Sequence, residues 1–198
     1  MLKKTFLTIF LFVSVAILLT IAFVVYNYFT WRNQYIEDNE NVICFQDIKG
    51  KDYSIEDKVK AFVLSFEKSD FVSFTPEEVL QLMNENILLS GNLKLQSICL
   101  EPDDSHWKVY FNTKLGFINI PWIGLNVVKE KRETAELYVD EILLGGLTIP
   151  QLFVEKIISD INMGISDGVV LMNENSFLGR TIINIELMKE NVVVKGTI

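Results

Sequence analysis

The sequence has few of the side chains that metal binding and catalysis require. It contains one histidine, His106, and two cysteines among 198 residues, so a zinc site with several His or Cys ligands cannot be built. A Ser–His–Asp triad would have to use Ser105 with Asp103 or Asp104, and neighbours within one turn seldom assemble that geometry. The acidic stretches do not match the twelve-residue calcium loop. We expect no metal, no cofactor and no catalytic residues, and hence a protein that is not an enzyme.

The sequence also lacks a phosphate-binding loop. Gly145-Gly146 are followed by apolar residues and a threonine, whereas a loop of the G-x-x-x-x-G-K-S/T type needs further glycines and a lysine. We interpret the two glycines as a turn out of a strand. An amphipathic helix is predicted at 148–164, because Pro150 suits a first helical position and Gly164 a position just past the end.

Charge is missing from Thr5 to Phe29, a run of 25 residues. As a helix this run would measure roughly 37 Å, more than the ~30 Å hydrocarbon thickness of a bilayer. A secretory signal has a shorter apolar region and a small-residue cleavage site, which is not found here. Aromatic residues suited to the headgroup level lie at its end: Tyr26, Tyr28, Phe29 and Trp31. We predict an uncleaved transmembrane anchor within residues 1–32 rather than a cleaved signal.

Basic residues are scarce directly after this run. Lys3 and Lys4 precede it, whereas only Arg32 follows closely, before acidic residues. The positive-inside rule then predicts a single-pass protein of the cell membrane, with a cytoplasmic N-terminus and an extracytoplasmic C-terminal domain. That outer part holds 15 basic and 26 acidic residues, a formal charge of −11. We expect no nucleic acid partner and interpret the charge as a contribution to solubility.

The two cysteines, Cys44 and Cys99, allow two interpretations. An oxidising exterior permits a disulfide, and the number of cysteines is even. Both residues also lie in apolar, strand-like surroundings, where buried free thiols are common. The sequence leaves this choice open.

Helical spacing marks two segments in the first half of the chain. Residues 33–53 are predicted to be a linker with one candidate short strand in "VICFQDI". Residues 54–67 have apolar side chains three and four apart, which predicts a helix. A second helix is expected after "SFTP", with Thr75 as N-cap, Pro76 at the first helical position and Glu78 completing a capping box.

From Asn92 onward, apolar and polar residues alternate in short runs, which is typical of antiparallel strands. Four such runs precede the predicted helix at 148–164, and three are expected after it, beginning at "GVVLM". Pro121 indicates that its strand is an edge strand or is bulged. We predict an α+β protein, with an N-terminal transmembrane helix and an extracytoplasmic domain, 54–198, in which a curved antiparallel sheet packs on amphipathic helices.

Two segments carry a resemblance to a known family. "SFTPEEVLQLMNENI", with Thr75, Glu77, Glu78 and Asn84, and "GGLTIPQLFVEKIISDIN" resemble helix entries of small membrane-anchored bacterial envelope proteins of the YpmS-like type. The terminal "VVVKG" resembles the strand that closes their sheet. Similar layouts recur in proteins related to lipid-binding tubular domains. The resemblance implies a role in envelope lipid binding or assembly and brings no catalytic residues.

Apolar and aromatic side chains are abundant in the outer domain, and they can fill a core or line a groove. Our leading hypothesis is that the sheet curves around the helix and leaves a groove that binds a lipid acyl chain. Its lining would be Phe117, Ile118, Ile120, Trp122, Ile123, Leu152, Phe153 and Ile157. The alternative is a non-catalytic subunit of an envelope complex with a fully packed core, which recruits proteins through its acidic surface or an exposed strand edge such as "WIGLNVV".

Overall fold

The chain begins with one long apolar helix, α1, Leu2–Trp31, which a π-helical segment, Arg32–Ile36, continues. This helix is long and apolar enough to span a membrane. The computed structural model describes the following parts of the chain: residues 2–36, 39–51, 53–87, 92–129, 134–174 and 180–198.

The remaining elements form an α+β arrangement of four helices and two antiparallel sheets in the described part of the chain. The helices are α2 (Phe45–Ile48), α3 (Ile55–Leu64), α4 (Pro76–Asn86) and α5 (Gln151–Glu174). The strands are β1 (Ile43–Cys44), β2 (Ser69–Phe74), β3 (Leu93–Asp103), β4 (His106–Leu115), β5 (Ile118–Lys129), β6 (Leu137–Leu144), β7 (Leu147–Thr148), β8 (Thr181–Leu187) and β9 (Val192–Thr197). The predicted fold class, the apolar N-terminal helix and the antiparallel sheet are confirmed at this level.

The larger sheet has the strand order β1-β3-β4-β5-β6-β7, and the smaller has the order β2-β9-β8. Strand β5 pairs with β4 on one side and with β6 on the other. The segment "WIGLNVV" within it is therefore not an edge that a partner strand could extend. Pro121 lies where the β4–β5 register shifts, between the pairs Thr113–Ile120 and Phe111–Ile123. This bulge accommodates a residue that has no N–H for the ladder.

Strand β2 occupies the connection between α3 and α4 where we predicted no strand. Its partner is β9, at the other end of the chain, with Val72 opposite Val194. An edge strand of this kind forms because a distant segment supplies its hydrogen bonds, so the residues of "DFVSF" alone do not indicate it.

Helix α5 continues past its predicted end at Gly164 as far as Glu174. The segment beginning "GVVLM" is therefore helical, and the prediction of a strand there is wrong. The reason is that apolar residues continue along one side of the helix at spacings of three and four, past both Gly164 and Gly168. These residues, which pack towards the larger sheet or line its edge, are Val154, Ile158, Ile161, Ile165 and Val169.

The segment predicted as a linker, 33–53, contributes to the folded domain. Strand β1 pairs with β3 and sets Cys44 opposite Cys99, and the two form a disulfide with an S–S distance of 2.00 Å. Ile48 of α2 is buried against Leu80 of α4 in the core. Of the two interpretations of the cysteines, the structure has the disulfide, and the domain begins before residue 54.

Both faces of the larger sheet carry buried side chains, because alternation along each strand sends neighbouring side chains to opposite sides. On β3, Leu100 packs in a core with Ile48, Leu80 and helices α2 and α4, whereas Cys99 faces the other side. Further along the first face, Val154 and Ile158 of α5 pack against Val139 and Ile142 of β6. On the second face, Tyr110 and Trp122 surround Cys99.

The predicted capping box of α4 is present and is joined to α3. Glu78 is buried and accepts a hydrogen bond from Thr75 N at 2.8 Å, while Glu78 N donates to Thr75 Oγ1. The same carboxylate lies 2.7 Å from Lys58 Nζ on α3. One acidic side chain therefore begins α4 and fixes its position against α3.

Arg180 holds the other end of α3. Its guanidinium is buried and donates to the carbonyl oxygens of Phe62, Ser65 and Glu67, and it lies over the Phe62 ring at 5.2 Å. The final carbonyls of a helix carry partial negative charge, which a cation stabilises. The chain just before β8 thus fixes the end of α3 next to the smaller sheet.

Two glycine substitutions should move stability in opposite directions. A Cβ at Gly164 would meet no described atom within 4 Å, so Gly164→Ala in the middle of α5 should stabilise the protein by about 0.5–1 kcal/mol. A Cβ at Gly124 would lie 2.8 Å from Tyr110 Cε1, so Gly124→Ala should cost about 1–3 kcal/mol. Thermal unfolding of the two full-length variants in detergent measures both, and equal unfolding temperatures would contradict the packing described here.

Loss of the disulfide should be costly. The bond joins residues 55 apart, and closing a loop of this size in the unfolded chain typically stabilises a protein by about 2–4 kcal/mol. We expect a matching fall in the free energy of unfolding, measured with a chemical denaturant, for the double variant Cys44→Ala with Cys99→Ala. Reductant should lower the stability of the natural sequence and leave the double variant unchanged. If reductant also lowered the stability of the double variant, the loss of stability could not be assigned to this disulfide.

Candidate functional site

An apolar cleft lies between α5 and the facing ends of the two sheets. It has a volume of about 320 Å³. Its apolar lining comes from three elements: Leu137 of β6, Ile165, Val169 and Val170 of α5, and Ile183 of β8. Val170 and Ile183 are 48% and 44% exposed, so the cleft opens to solvent. We refer to this site as the α5 cleft.

Two asparagines of α5 hold the helix across the two sheets. Asn162 Nδ2 donates to Val139 O at 2.9 Å, and Val139 N donates to Asn162 Oδ1 at 2.6 Å. Asn173 makes the same pair of bonds with Ile182. Ile182 N donates to Asn173 Oδ1 at 2.8 Å, and Asn173 Nδ2 donates to Ile182 O at 3.3 Å. Each side-chain amide therefore binds one strand residue as a neighbouring strand would. The cleft lies between these two attachments, because its α5 residues fall between 162 and 173.

A bulge in β8 directs one apolar side chain into the cleft. The β8–β9 register shifts between Ile182 and Asn184, which leaves Ile183 without a paired position. Ile182 is buried next to Asn173, whereas Ile183 lines the cleft. Bulges often redirect a side chain at functional sites. Strand β8 also bonds to the segment just before β6 here, since Ile185 N donates to Thr134 O at 3.1 Å.

The lining of the cleft combines apolar side chains with three polar ones. Its polar contributors are the hydroxyl-bearing Thr134 and Ser166 and the carboxylate-bearing Glu136. Such a lining suits an apolar chain with a polar group at the rim. Within the parts of the chain that the structure describes, three or more His, Cys, Asp or Glu side chains do not come together as metal ligands would.

The structure does not bring the eight predicted groove residues together. Trp122 is 5% exposed and faces the side of the sheet away from α5, whereas its neighbour Ile123 packs with Val139 beneath α5. Ile120 is half-buried on β5, and the side chain of Ile118 lies outside those that the structure describes. Phe117 is 89% exposed at the tip of the β4–β5 hairpin.

The three predicted residues of the helix point away from the sheet. Leu152, Phe153 and Ile157 are 84%, 73% and 52% exposed, while Val154 and Ile158 are buried beneath the helix. Successive residues of a helix are rotated by about 100°, so these two sets occupy different sides of α5. The α5 cleft uses the second half of the helix, whose last part, from Gly168 onward, we had predicted to be a strand.

A second hollow is larger but polar. It has a volume of about 540 Å³ and lies beside the disulfide. Its lining includes Asn39, Glu40, Asp47, Ser97 and Asn112. Transfer of an acyl chain into such surroundings would desolvate polar groups without replacing their hydrogen bonds. This hollow is a poor site for the hydrophobic ligand that we predicted.

The end of α1 packs on the second face of the larger sheet. The ring of Trp31 lies 5.2 Å from that of Tyr110 and 6.2 Å from that of Trp122, and it stacks on Tyr35 at 5.5 Å. Tyr110 Oη donates to Glu101 Oε2 at 3.1 Å. Burial raises the pKa of Tyr110, and the hydrogen bond with Tyr35 raises it further, so the phenol keeps its proton. We call these four aromatic rings the aromatic junction.

Gly145-Gly146 form the turn between β6 and β7 that we predicted, and they also have a second role. Gly145 has φ of 60°, which glycine adopts without strain. A Cβ at Gly146 would lie 2.5 Å from Trp31 Cδ1. Only glycine leaves room for the indole here. Both parts of this contact, the paired glycines and the aromatic residues at the end of the apolar run, were recognised in the sequence, but their contact was not predicted.

No protein-family model matches the chain, and neither a curated protein nor a solved structure matches it. The resemblance to YpmS-like proteins therefore stays a prediction.

Gly146→Ala should loosen the aromatic junction. The added methyl displaces Trp31, so the chain around Arg32 should become a better protease substrate. Limited trypsin digestion of the full-length protein in detergent, followed on a gel, should release the domain several-fold faster than from the natural sequence. Gly164→Ala is the matched control, because its methyl meets no described atom. Equal rates for the two variants would show that Trp31 does not fix the domain to α1.

Proposed function

We propose that this protein is a membrane-anchored, non-catalytic binding module whose extracytoplasmic domain takes an acyl chain into the α5 cleft. The observation that carries the proposal is the cleft itself, an apolar opening framed by two asparagine attachments. An apolar opening in contact with water keeps apolar surface exposed, which costs free energy that a bound acyl chain would recover. The hydrogen bonds of Asn162 and Asn173 hold α5 in place over it.

The size of the cleft supports one chain and weak binding. At about 320 Å³ it is near the lower end of small-molecule sites. Each buried CH₂ contributes about 0.8 kcal/mol, and ordering of the ligand opposes this. Binding should therefore be reversible, which suits sensing or transfer better than storage.

Membrane anchoring is the second part of the proposal. Support comes from α1, which has the length and apolarity of a span. Lys3 and Lys4 before it and the acidic residues after Arg32 favour a cytoplasmic N-terminus. Curvature of the larger sheet around α5 belongs to the same proposal, and the bulge at Pro121 and the register shift between Asn126 and Val127 would favour it.

A second candidate function is the recruitment of an envelope protein through the outer side of α5. The observation that favours it is a row of exposed apolar side chains among charged ones, including Ile157 and Met163. Such a surface can take a partner helix or strand. It would act without any ligand in the α5 cleft, so one experiment separates the two functions.

A diazirine-bearing fatty acid should label the α5 cleft. The full-length protein, in nanodiscs of phosphatidylcholine and phosphatidylglycerol, would be irradiated with this probe and its peptides analysed by mass spectrometry. We expect adducts in peptides containing Leu137, Val169 and Ile183, in addition to those in α1. Val169→Trp fills the cleft and should remove most of the cleft adducts while leaving those in α1.

Met163→Trp is the matched control, since it adds the same side chain on the exposed side of α5. It should leave the cleft adducts unchanged, and thermal unfolding checks that both variants fold. Adducts confined to α1 in the natural sequence, or cleft adducts that persist in Val169→Trp, would refute the acyl-chain proposal and favour the recruitment function.

A further inference from the structure

Four exposed apolar side chains lie at one end of the larger sheet. Phe117 and Leu152 are almost fully exposed, Phe153 is largely exposed and Leu115 is about half exposed. Single exposed apolar residues are ordinary, but two phenylalanines and two leucines exposed at one end of a sheet favour a covering surface. We call Leu115, Phe117, Leu152 and Phe153 the apolar tip.

Strand register places these residues at the same end. Leu115 pairs with Ile118 at the close of the β4–β5 hairpin, and Ile123 further along β5 pairs with Leu144, next to the β6–β7 turn. Both turns therefore lie at one edge of the sheet, with the hairpin projecting further. Strand β7 runs back along β6 as far as Ile142, and α5 then runs towards Val139, where Asn162 is bound, so its first turn, with Leu152, lies near the β6–β7 turn.

The apolar span leaves the domain at this same end. Trp31 contacts the β6–β7 turn at Gly146, whereas Tyr35, one helical turn later, contacts Tyr110, whose hydroxyl reaches Glu101. Tyr110 pairs with Gly124, and Gly124 pairs with Leu143. Leu143 is further from the β6–β7 turn than Gly146 is. The chain thus runs from the tip end towards the far end between residues 31 and 35. Followed backward, α1 therefore leaves the sheet on the side of the β6–β7 turn, which is the end that carries the apolar tip.

Charge at this end is consistent with a lipid surface. Lys94 and Lys114 lie directly opposite each other on β3 and β4, next to Leu115. Like charges in register are unfavourable, and an anionic headgroup between them would relieve the repulsion. The first turns of α5 add one charge of each sign, Glu155 and Lys156. Basic side chains beside exposed aromatic ones are typical of residues that lie in a membrane interface.

We propose that the apolar tip lies in the interface of the same bilayer that α1 spans, with its phenylalanines among the lipid headgroups and upper acyl chains. The domain then contacts the bilayer at two places, the span and the tip, which together fix its orientation. The proposal rests on the proposed membrane anchoring of α1 and is independent of any ligand in the α5 cleft.

Site-directed spin labels test this arrangement in the full-length protein. Labels at Phe117→Cys and Phe153→Cys, in vesicles of phosphatidylcholine and phosphatidylglycerol and with the native disulfide left oxidised, should be accessible to oxygen and protected from an aqueous nickel chelate. Leu18→Cys in α1 reports on the span. Glu190→Cys, in the turn between β8 and β9, is the control at the far end of the domain and should show the opposite accessibility.

The outcomes separate the two proposals. If the label at 117 or 153 is accessible from water while the label at 18 lies in lipid, the proposal that the tip lies in the interface is wrong, and the proposed membrane anchor stands. A label in water at residue 18 would overturn both. As a further check, Phe117→Asp with Phe153→Asp should move a label at Leu115→Cys from lipid to water without unfolding the domain. Met163→Asp, on the exposed side of α5 in its second half, should not move that label.

Discussion

The packing of Trp31 on the Gly145-Gly146 turn is the contact on which the arrangement of the whole chain depends. Because Gly146 has no Cβ, the indole can lie against the turn and reach Tyr110 and Trp122 at the same time. The end of α1 thereby covers one face of the larger sheet. The central strands can then carry apolar residues on both faces, as a sheet covered on both sides does, and the disulfide at Cys99 lies within this same packed cluster.

The sequence was sufficient where structure is set locally. The uncharged run predicts α1, and Thr75, Pro76 and Glu78 predict the start of α4, because spacing and capping chemistry act within one or two turns. It was insufficient where a distant segment decides. Strand β2 exists through β9, and the pairing of Cys44 with Cys99 follows from the register of β1 on β3. Neither partner can be identified from neighbouring residues.

The candidate site was missed for a related reason. Helix α5 has apolar side chains on two of its sides, so periodicity alone does not determine which side meets the sheet. Two polar residues could have indicated it. Asn162 and Asn173 are eleven residues apart, about three turns of helix, and so share one side. A pair of amides among apolar neighbours indicates bonds to backbone groups, which is what the structure contains. Gly164 led to the wrong prediction, because a glycine at that position is typical of a helix end, and the predicted helix therefore stopped before Asn173.

Helix α5 connects the two regions that we assign to lipid. Leu152 is at the tip, and Ile165 lines the cleft thirteen positions later, so the cleft lies roughly 20 Å along the helix from the tip. If the tip lies in the bilayer interface as we propose, a lipid would have to leave its leaflet to fill the cleft, and each CH₂ buried there would contribute only about 0.8 kcal/mol. Extraction of a two-chain phospholipid is therefore disfavoured. A single-chain ligand, or an acyl chain already exposed on another molecule, is the occupant that this geometry favours.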